Sequence, residues 1–308
     1  KAYVTGVAVD GETLQSIAKK HATPETYFET ARADLEEARH FVKAKVLLPL
    51  PESDNLKVIE TPRFMRGVYA VGGFNAAPPL EPKLQAQYWL TPIPSDWPAE
   101  RIESKLREYN FYGLKLLTIH EAVPGHYTQF EYANRIEPPA RRLLRSIYGS
   151  GTYIEGWAVY ATQMMIEEGY LLNDDGLRLT FLKQMMRAVS NAILDIKFHT
   201  QNLSDEEAMK LMVEGTFQER EEAEAKLLRA KLTSCQLPTY FVGWVDWLRL
   251  RDRDRGFKNK AFSLPEFHER ALKAGALPLP VLSELLTGNS LPPRVTGPIL
   301  LKIQPPKE

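Results

Sequence analysis

The chain has 308 residues, of which 44% are hydrophobic and 25% are charged, a composition typical of a globular protein with a large buried core. Its 39 basic and 39 acidic side chains cancel, so there is no field of one sign to attract nucleic acid or an anionic membrane, and neither is an expected partner. The single cysteine, Cys235, excludes an internal disulfide and a thiolate-rich metal site, which leaves imidazole and carboxylate groups as ligands for a transition metal.

The first third of the chain combines one helix with irregular structure. A helix is predicted over residues 23–47, where Thr23 can cap it, Pro24 suits its first turn, and apolar side chains recur at three- and four-residue steps. From residue 49 to residue 98, frequent prolines interrupt short apolar segments, which predicts a small irregular β-sheet with long loops. The longest apolar runs are shorter than the ~18 residues that a membrane span needs, so no span is expected.

Helical periodicity dominates the chain from Pro98 almost to residue 287. The predicted helices cover residues 99–109, 112–134, 138–148, 153–169, 175–200, 204–214, 217–232, 236–251 and 264–274. Three predicted capping boxes mark helix starts, Ser204 with Glu207, Thr216 with Glu219, and Ser263 with Glu266. The predicted fold is therefore mainly α, a large helical domain with a small irregular sheet before the helix predicted over residues 112–134.

These elements divide the chain into three predicted parts. Residues 1–98 pack on a helical catalytic part, residues 99–287, and residues 288–308 form a Pro-rich tail. The chain begins at Lys1 within what reads as structured sequence, so we expect a soluble processed product or a fragment of a longer chain. The compartment is not readable from the sequence, and a periplasmic or secreted location after processing is compatible with that start.

The stretch HEAVPGH, residues 120–126, carries the groups of a metal-dependent hydrolase. Such chemistry needs two or three neutral or anionic ligands, an open position for water, and a carboxylate that takes the proton of that water. His120 and His126 are six residues apart rather than the four of HExxH, which on a straight helix is about 240° and points the second imidazole away. Pro124 and Gly125 predict a break in the helix that swings His126 back toward Glu121 and His120.

Glu155, in the segment YIEGWAVY, is the best candidate for a third ligand from another helix. Gly156 and Ala158 would let that helix approach closely, while Trp157 and Tyr160 could wall the site. On spacing alone, a capping role for this carboxylate is an equal alternative. The alternative for the HEAVPGH stretch is a helix bend with two hydrogen-bonded histidines and a surface glutamate.

Two motifs resemble those of the bacterial proteins of domain of unknown function 885, HEAxPGHxxQ followed by EGWAxY. This chain reads HEAVPGHYTQ from His120 to Gln129 and EGWAVY from Glu155 to Tyr160, and the similarity continues through QLPTYFVG to about residue 285. The resemblance implies a mostly helical zinc metallopeptidase of the thermolysin-like group, in which His120, His126 and Glu155 bind Zn²⁺ and Glu121 is the general base. Family members are longer and this chain resembles their C-terminal part, so a missing N-terminal half or a partner chain is also expected.

A group that stabilises the oxyanion is needed as well, commonly a Tyr hydroxyl or a protonated His, and Tyr240 and His199 are the candidates. A core aromatic and a histidine at a helix end are alternatives of at least equal weight for these two residues. The family pattern DxGxH reads DIKFH here, from Asp195 to His199, which leaves the role of His199 open. Asp195 could orient a ligand imidazole or form a helix salt bridge.

The sequence thus predicts a zinc-dependent hydrolase, a metallopeptidase that cleaves peptide bonds with metal-activated water and Glu121 as general base. Two alternatives stay open. One is a non-catalytic helical module that binds a metal for structure, as part of a longer or split enzyme. The other is a hydrolase of a non-peptide amide or ester that uses the same site.

Overall fold

A computed structural model describes residues 11–52 and 55–292, and it is mainly helical with one small sheet, as predicted. In chain order the elements are α1 (Gly11–Ala18), α2 (Tyr27–Lys45), β1 (Leu56–Glu60), β2 (Gly72–Asn75), β3 (Ala86–Leu90), α3 (Ala99–Glu108), α4 (Phe111–Glu121), α5 (His126–Ala133), α6 (Pro139–Ile147), α7 (Gly151–Glu167), α8 (Asp175–Thr200), α9 (Asp205–Thr216), α10 (Arg220–Leu232), α11 (Pro238–Lys258), α12 (Leu264–Lys273) and α13 (Leu279–Thr287). The predicted Pro-rich tail lies outside the described residues from position 293 onward. No helix in the described ranges combines the length and the apolar character that crossing a bilayer requires.

One of the three predicted capping boxes is present. At the start of α9, the Ser204 hydroxyl accepts from the Glu207 N–H while the Glu207 carboxylate accepts from the Ser204 N–H. The box predicted at Thr216 is wrong, because Thr216 is the last residue of α9 and its hydroxyl donates to the Met212 carbonyl. Ser263 does precede α12, but its side chain makes no capping hydrogen bond.

The sheet has the strand order β1-β3-β2, with β1 parallel and β2 antiparallel to the central strand β3. Tyr88 and Leu90 of β3 are fully buried. The Tyr88 hydroxyl lies 3.3 Å from the hydroxyl of Thr118, which is on α4. The sheet therefore packs on the helix that carries His120.

One continuous hydrophobic core joins the predicted parts 1–98 and 99–287. Helix α7 lies at its centre, with Tyr153, Trp157 and Tyr160 fully buried. Helix α7 makes its most extensive contact with α11. This second helix runs to Lys258, beyond its predicted end, and Arg251 near its middle forms an ion pair of 2.6 Å with Glu167 of α7.

Candidate metal centre

The chain breaks its helical path between the two histidines, as predicted. Helix α4 ends at Glu121 and α5 begins at His126, so the single helix expected over residues 112–134 is two helices. In the linker the Val123–Pro124 peptide bond is cis, and the Gly125 N–H donates to the Ile119 carbonyl at 3.0 Å. A Cβ at Gly125 would lie 2.0 Å from the His120 carbonyl oxygen, so only glycine fits there. The break brings the two imidazole ring centres to 4.7 Å, nearly perpendicular at 83°.

Trp157 of α7 holds this break from the core side. Its indole N–H lies 2.9 Å from the Pro124 carbonyl oxygen and 3.2 Å from that of Gly125, and donates to both. Trp157 and Tyr160, which were expected to wall the site, are both fully buried. Trp157 supports the break from the core side, because α7 presents its aromatic residues to the core and Glu155 to the histidines.

Glu155 completes a group of three potential ligands. Its Oε2 atom lies 3.5 Å from His120 Nε2 and 3.3 Å from His126 Nε2. One ligand atom from each residue lies within 4.8 Å of the others. Two ligand atoms of a tetrahedral zinc ion, each about 2.0–2.1 Å from the metal, lie about 3.4 Å apart. The two observed spacings to Glu155 agree with that value, so the group is compatible with holding a metal ion.

The electrostatics of the group also suit a cation. Burial favours the uncharged form of Glu155, but the two facing imidazoles outweigh it and hold the pKa of Glu155 well below its usual range. Burial likewise disfavours charged His126, but the Glu155 carboxylate outweighs it and raises the pKa of His126. The buried Oε2 of Glu155 lies within 3.5 Å of both imidazole Nε2 atoms but makes a well-aligned hydrogen bond with neither.

One feature departs from common metal sites. Nδ1 of His126 is buried without a hydrogen-bond partner, whereas an imidazole bound to metal through one nitrogen usually donates from the other. Glu121, the candidate base, directly follows His120 at the end of α4 and is partly exposed. Its carboxylate makes no hydrogen bond or ion pair with the part of the chain that the structure describes.

The structure places Tyr240, the first oxyanion candidate, next to this group. Its ring stacks on the His120 imidazole, with centres 6.1 Å apart and an angle of 19°. Arg229 and Gln236 donate hydrogen bonds to its hydroxyl oxygen, at 3.2 and 3.1 Å. Burial and the nearby Glu155 carboxylate raise the pKa of Tyr240, so the hydroxyl keeps its proton at neutral pH.

His199, the second candidate, is not brought to the ligand group. Its Nε2 donates to the Thr233 carbonyl at 2.8 Å, at the C-terminal end of α8. Asp195, one turn earlier, accepts from the Cys235 N–H at 2.9 Å rather than from a ligand imidazole. Both residues therefore hold the loop that leads into α11.

Sequence reasoning missed Gln236 and Arg229. Gln236 donates to Oε1 of Glu155 at 3.2 Å, and Arg229 donates to the Gln236 side-chain oxygen at 2.9 Å. Gln236 stands in the QLPTYFVG segment, but nothing in the sequence pairs it with a residue 81 positions earlier.

Two cavities lie away from the ligand group. One, of about 500 Å³, is lined by residues 49–52 and by side chains that include Tyr132 and Lys273. The other, of about 350 Å³, lies between α3 and α10. None of the three potential ligands lines either cavity.

The chain is similar to known proteins over most of its length. A family model described as "Bacterial protein of unknown function (DUF885)" matches residues 8–286. A "putative lipoprotein of unknown function" from Shewanella oneidensis is 34% identical, with a TM-score of 0.78, and the match covers 89% of this chain and 48% of that one. A "putative lipoprotein" from Colwellia psychrerythraea, 24% identical with a TM-score of 0.76, has the same fold, over 90% of this chain and 46% of that one. No curated protein matches the chain.

The solved structures that the chain matches are longer than the chain itself. The chain spans about half the length of both solved structures, 48% and 46%. The family match, which extends from residue 8 to residue 286, gives no support to the expectation that the chain resembles only the C-terminal part of the family. Since that match covers well over half of the chain, the chain belongs to the DUF885 family of bacterial proteins of unknown function.

Proposed function

We propose that this protein is a zinc-dependent hydrolase, a metallopeptidase of the thermolysin-like kind, with His120, His126 and Glu155 as the zinc ligands. The observation that carries the proposal is the convergence of these three side chains from α4, α5 and α7, with a buried ligand oxygen that makes a well-aligned hydrogen bond with neither imidazole. Two neutral imidazoles and one carboxylate are a ligand set that zinc accepts in catalytic sites, where a fourth position stays open. Zinc bound there would polarise a carbonyl group and lower the pKa of a water molecule.

Glu121 is the general base in this proposal. It adjoins the ligand His120 and has no competing hydrogen bond among the described residues. Its carboxylate takes the proton of the attacking water and later returns it to the leaving amine, so one group moves the proton in both steps.

Tyr240 is the proposed donor to the oxyanion. Its hydroxyl oxygen accepts from both Arg229 and Gln236, so its own hydrogen is left to donate elsewhere. An O–H held in this way can stabilise charge that develops on a substrate carbonyl oxygen beside His120. His199 is the weaker candidate, since its Nε2 already bonds to Thr233.

The substrate and the location follow as further parts of the proposal. We propose a peptide or another amide as the substrate. A periplasmic or secreted location is supported by the words "putative lipoprotein" used for the Shewanella oneidensis protein. The solved relatives are about twice as long, which supports a partner chain or a further segment of the same chain as part of the complete enzyme.

Elemental analysis joined to a peptide-library digest tests the function. We expect one zinc ion per purified chain, loss of that ion in His120→Ala and Glu155→Ala, and cleavage of peptides. The exposed His40 provides the matched control, because His40→Ala should retain the ion and the activity. A chain that folds without metal and cleaves nothing would favour a non-catalytic interaction module. A chain that binds zinc but cleaves only esters or small amides would favour the alternative of a hydrolase that does not act on peptides.

A further inference from the structure

Gln236 links the candidate metal ligand to the candidate oxyanion donor. Its Nε2 donates to Glu155 Oε1 at 3.2 Å and to the Tyr240 hydroxyl oxygen at 3.1 Å. A side-chain amide nitrogen carries two hydrogens, so these two bonds use its full donor capacity. With Oε1 of Glu155 engaged in this way, Oε2 is the oxygen that faces His120 and His126.

Arg229 of α10 fixes which way the Gln236 amide points. The guanidinium donates to Gln236 Oε1 at 2.9 Å and to the Tyr240 hydroxyl oxygen at 3.2 Å. A guanidinium has only donors, so it requires the amide oxygen on its own side and turns the NH₂ group toward Glu155. The reversed amide would set its oxygen against the Glu155 carboxylate and its N–H groups against those of Arg229. Electrostatic repulsion therefore disfavours the reversed amide and fixes the orientation of the Gln236 side chain.

The loop before α11 is held so that Gln236 stays in place. The Cys235 N–H donates to both carboxylate oxygens of Asp195, at 2.9 and 3.2 Å, and the His199 imidazole donates to the Thr233 carbonyl. Asp195 and His199 are one turn apart on α8, so a single helix anchors the loop at Thr233 and at Cys235.

We propose that Gln236 and Arg229 are positioning residues of the metal centre, which present Oε2 of Glu155 to the metal and the free hydrogen of Tyr240 to the substrate. This inference rests on the proposed zinc site. A group that hydrogen-bonds to a metal ligand on the side away from the metal lowers the entropic cost of ordering that ligand when the ion binds. Removal of such a group typically weakens metal affinity. The same two residues also orient Tyr240, which joins ligand placement to oxyanion stabilisation in one hydrogen-bond network.

The test is zinc affinity, measured by competition with a chromophoric chelator, in variants of the purified chain. Gln236→Leu keeps the approximate size of the side chain and removes its donors and its acceptor, and it should weaken zinc binding by about 10- to 100-fold. Arg229→Met should act in the same direction, and Arg229→Lys, which keeps a cation and an N–H donor, should recover part of the loss. The matched control is Gln201→Leu, at an exposed position at the end of α8, which should bind zinc as the parent does.

A second readout separates positioning from general destabilisation. In the Co²⁺-substituted chain, the visible absorption spectrum reports ligand geometry, so it should change in Gln236→Leu while the far-UV circular dichroism stays that of the parent. Should Gln236→Leu fail to fold, a changed spectrum in folded Arg229→Met would carry the same support.

The possible results separate this inference from the proposed function. Unchanged zinc affinity and an unchanged cobalt spectrum in folded variants would overturn the positioning role and leave the metal centre standing. A parent chain that binds zinc without cleaving peptides, together with weaker binding in Gln236→Leu, would support the positioning role while the peptidase proposal fails. A parent chain that binds no zinc would overturn both.

Discussion

Gly156 of α7 and Gly243 of α11 pack backbone against backbone where the two helices cross. A Cβ on Gly243 would lie 2.0 Å from the Thr152 carbonyl oxygen and 2.8 Å from the Gly156 Cα. Real side-chain carbons do not approach that closely, so both helices need glycine at this point. Because Glu155 adjoins Gly156, the crossing places its carboxylate beside Gln236, two residues before the start of α11.

Adding a methyl group at this crossing should force the helices apart. We expect Gly243→Ala to lower the free energy of unfolding by about 1–3 kcal/mol, the usual range for overpacking, because the new Cβ meets backbone rather than a flexible side chain. Zinc affinity should fall as well, since Glu155 moves with α7. Urea unfolding of the metal-free chain and chelator competition measure the two effects.

The same helix offers a matched control. Gly256 is also in α11, but a Cβ built there meets no atom within 4 Å. Gly256→Ala should therefore stabilise the chain by about 0.5–1 kcal/mol through helix propensity alone. Equal effects of the two substitutions would show that the crossing tolerates a side chain and that the close approach has no energetic importance.

Glu121→Gln separates metal binding from proton transfer. The amide keeps the size of the side chain but cannot accept a proton at neutral pH, so zinc should stay bound while peptide cleavage falls by at least about 100-fold. Zinc content and initial cleavage rates measure the two quantities. Glu100→Gln, at an exposed position on α3, is the control and should leave both unchanged. Full activity in Glu121→Gln would remove this residue from the mechanism.

The two histidines, the break between them and Glu155 were predictable from local sequence chemistry. The spacing of His120 and His126 conflicts with a straight helix, and Pro124 and Gly125 stand where a break can resolve the conflict. The break was therefore predictable from seven consecutive residues, although one helix was expected over residues 112–134. Glu155 was a candidate because a small residue follows it, which permits close helix packing.

The rest depends on tertiary contacts that a linear pattern does not encode. Gln236 and Arg229 gain their roles only through the crossing at Gly156, and QLPTYFVG on its own reads as an ordinary helix start. The Thr216 pattern satisfies the rule for a capping box, yet Phe217 adopts left-handed backbone angles that end α9 at Thr216. Trp157 was expected to wall the site, but it lies two residues after Glu155, which is about 200° around α7, and its side chain is fully buried in the core.

Trp157→Phe tests whether the indole N–H holds the break between α4 and α5. Removing that donor leaves the Pro124 and Gly125 carbonyls without their shared partner, at a cost of about 1–3 kcal/mol in unfolding free energy. Zinc affinity should fall too, because His126 follows these carbonyls directly. Trp244→Phe is the matched control, since its buried indole donates to Gln163 instead. It should lose similar stability but keep zinc affinity, and equal affinities in the two variants would argue against the supporting role.

His268 is buried as a neutral imidazole in the aromatic core. Its Nδ1 lies 2.8 Å from the Leu47 carbonyl oxygen, which can only accept, so Nδ1 carries the hydrogen. Its Nε2, 2.8 Å from the Tyr160 hydroxyl, then accepts from it. Burial lowers the pKa of His268 to about 4, with the positive charge of Arg251 acting in the same direction and the bond to Leu47 opposing it.

This buried histidine should make the metal-free chain acid-sensitive. The unfolded chain, in which the histidine pKa is about 6.5, binds more protons than the folded chain between that pH and about 4, so the stabilisation is present above pH 6.5 and is lost as the pH falls. The loss of unfolding free energy from this group should be about 2 kcal/mol at pH 5 relative to pH 7.5, measured by urea unfolding.

His268→Gln keeps a donor for Leu47 and an acceptor for Tyr160 without titrating, so the pH dependence of its unfolding free energy should be weaker by that amount. The exposed His40 is the control, and His40→Gln should retain the full dependence. Equal slopes in His268→Gln and the parent would mean that His268 does not cause the acid sensitivity.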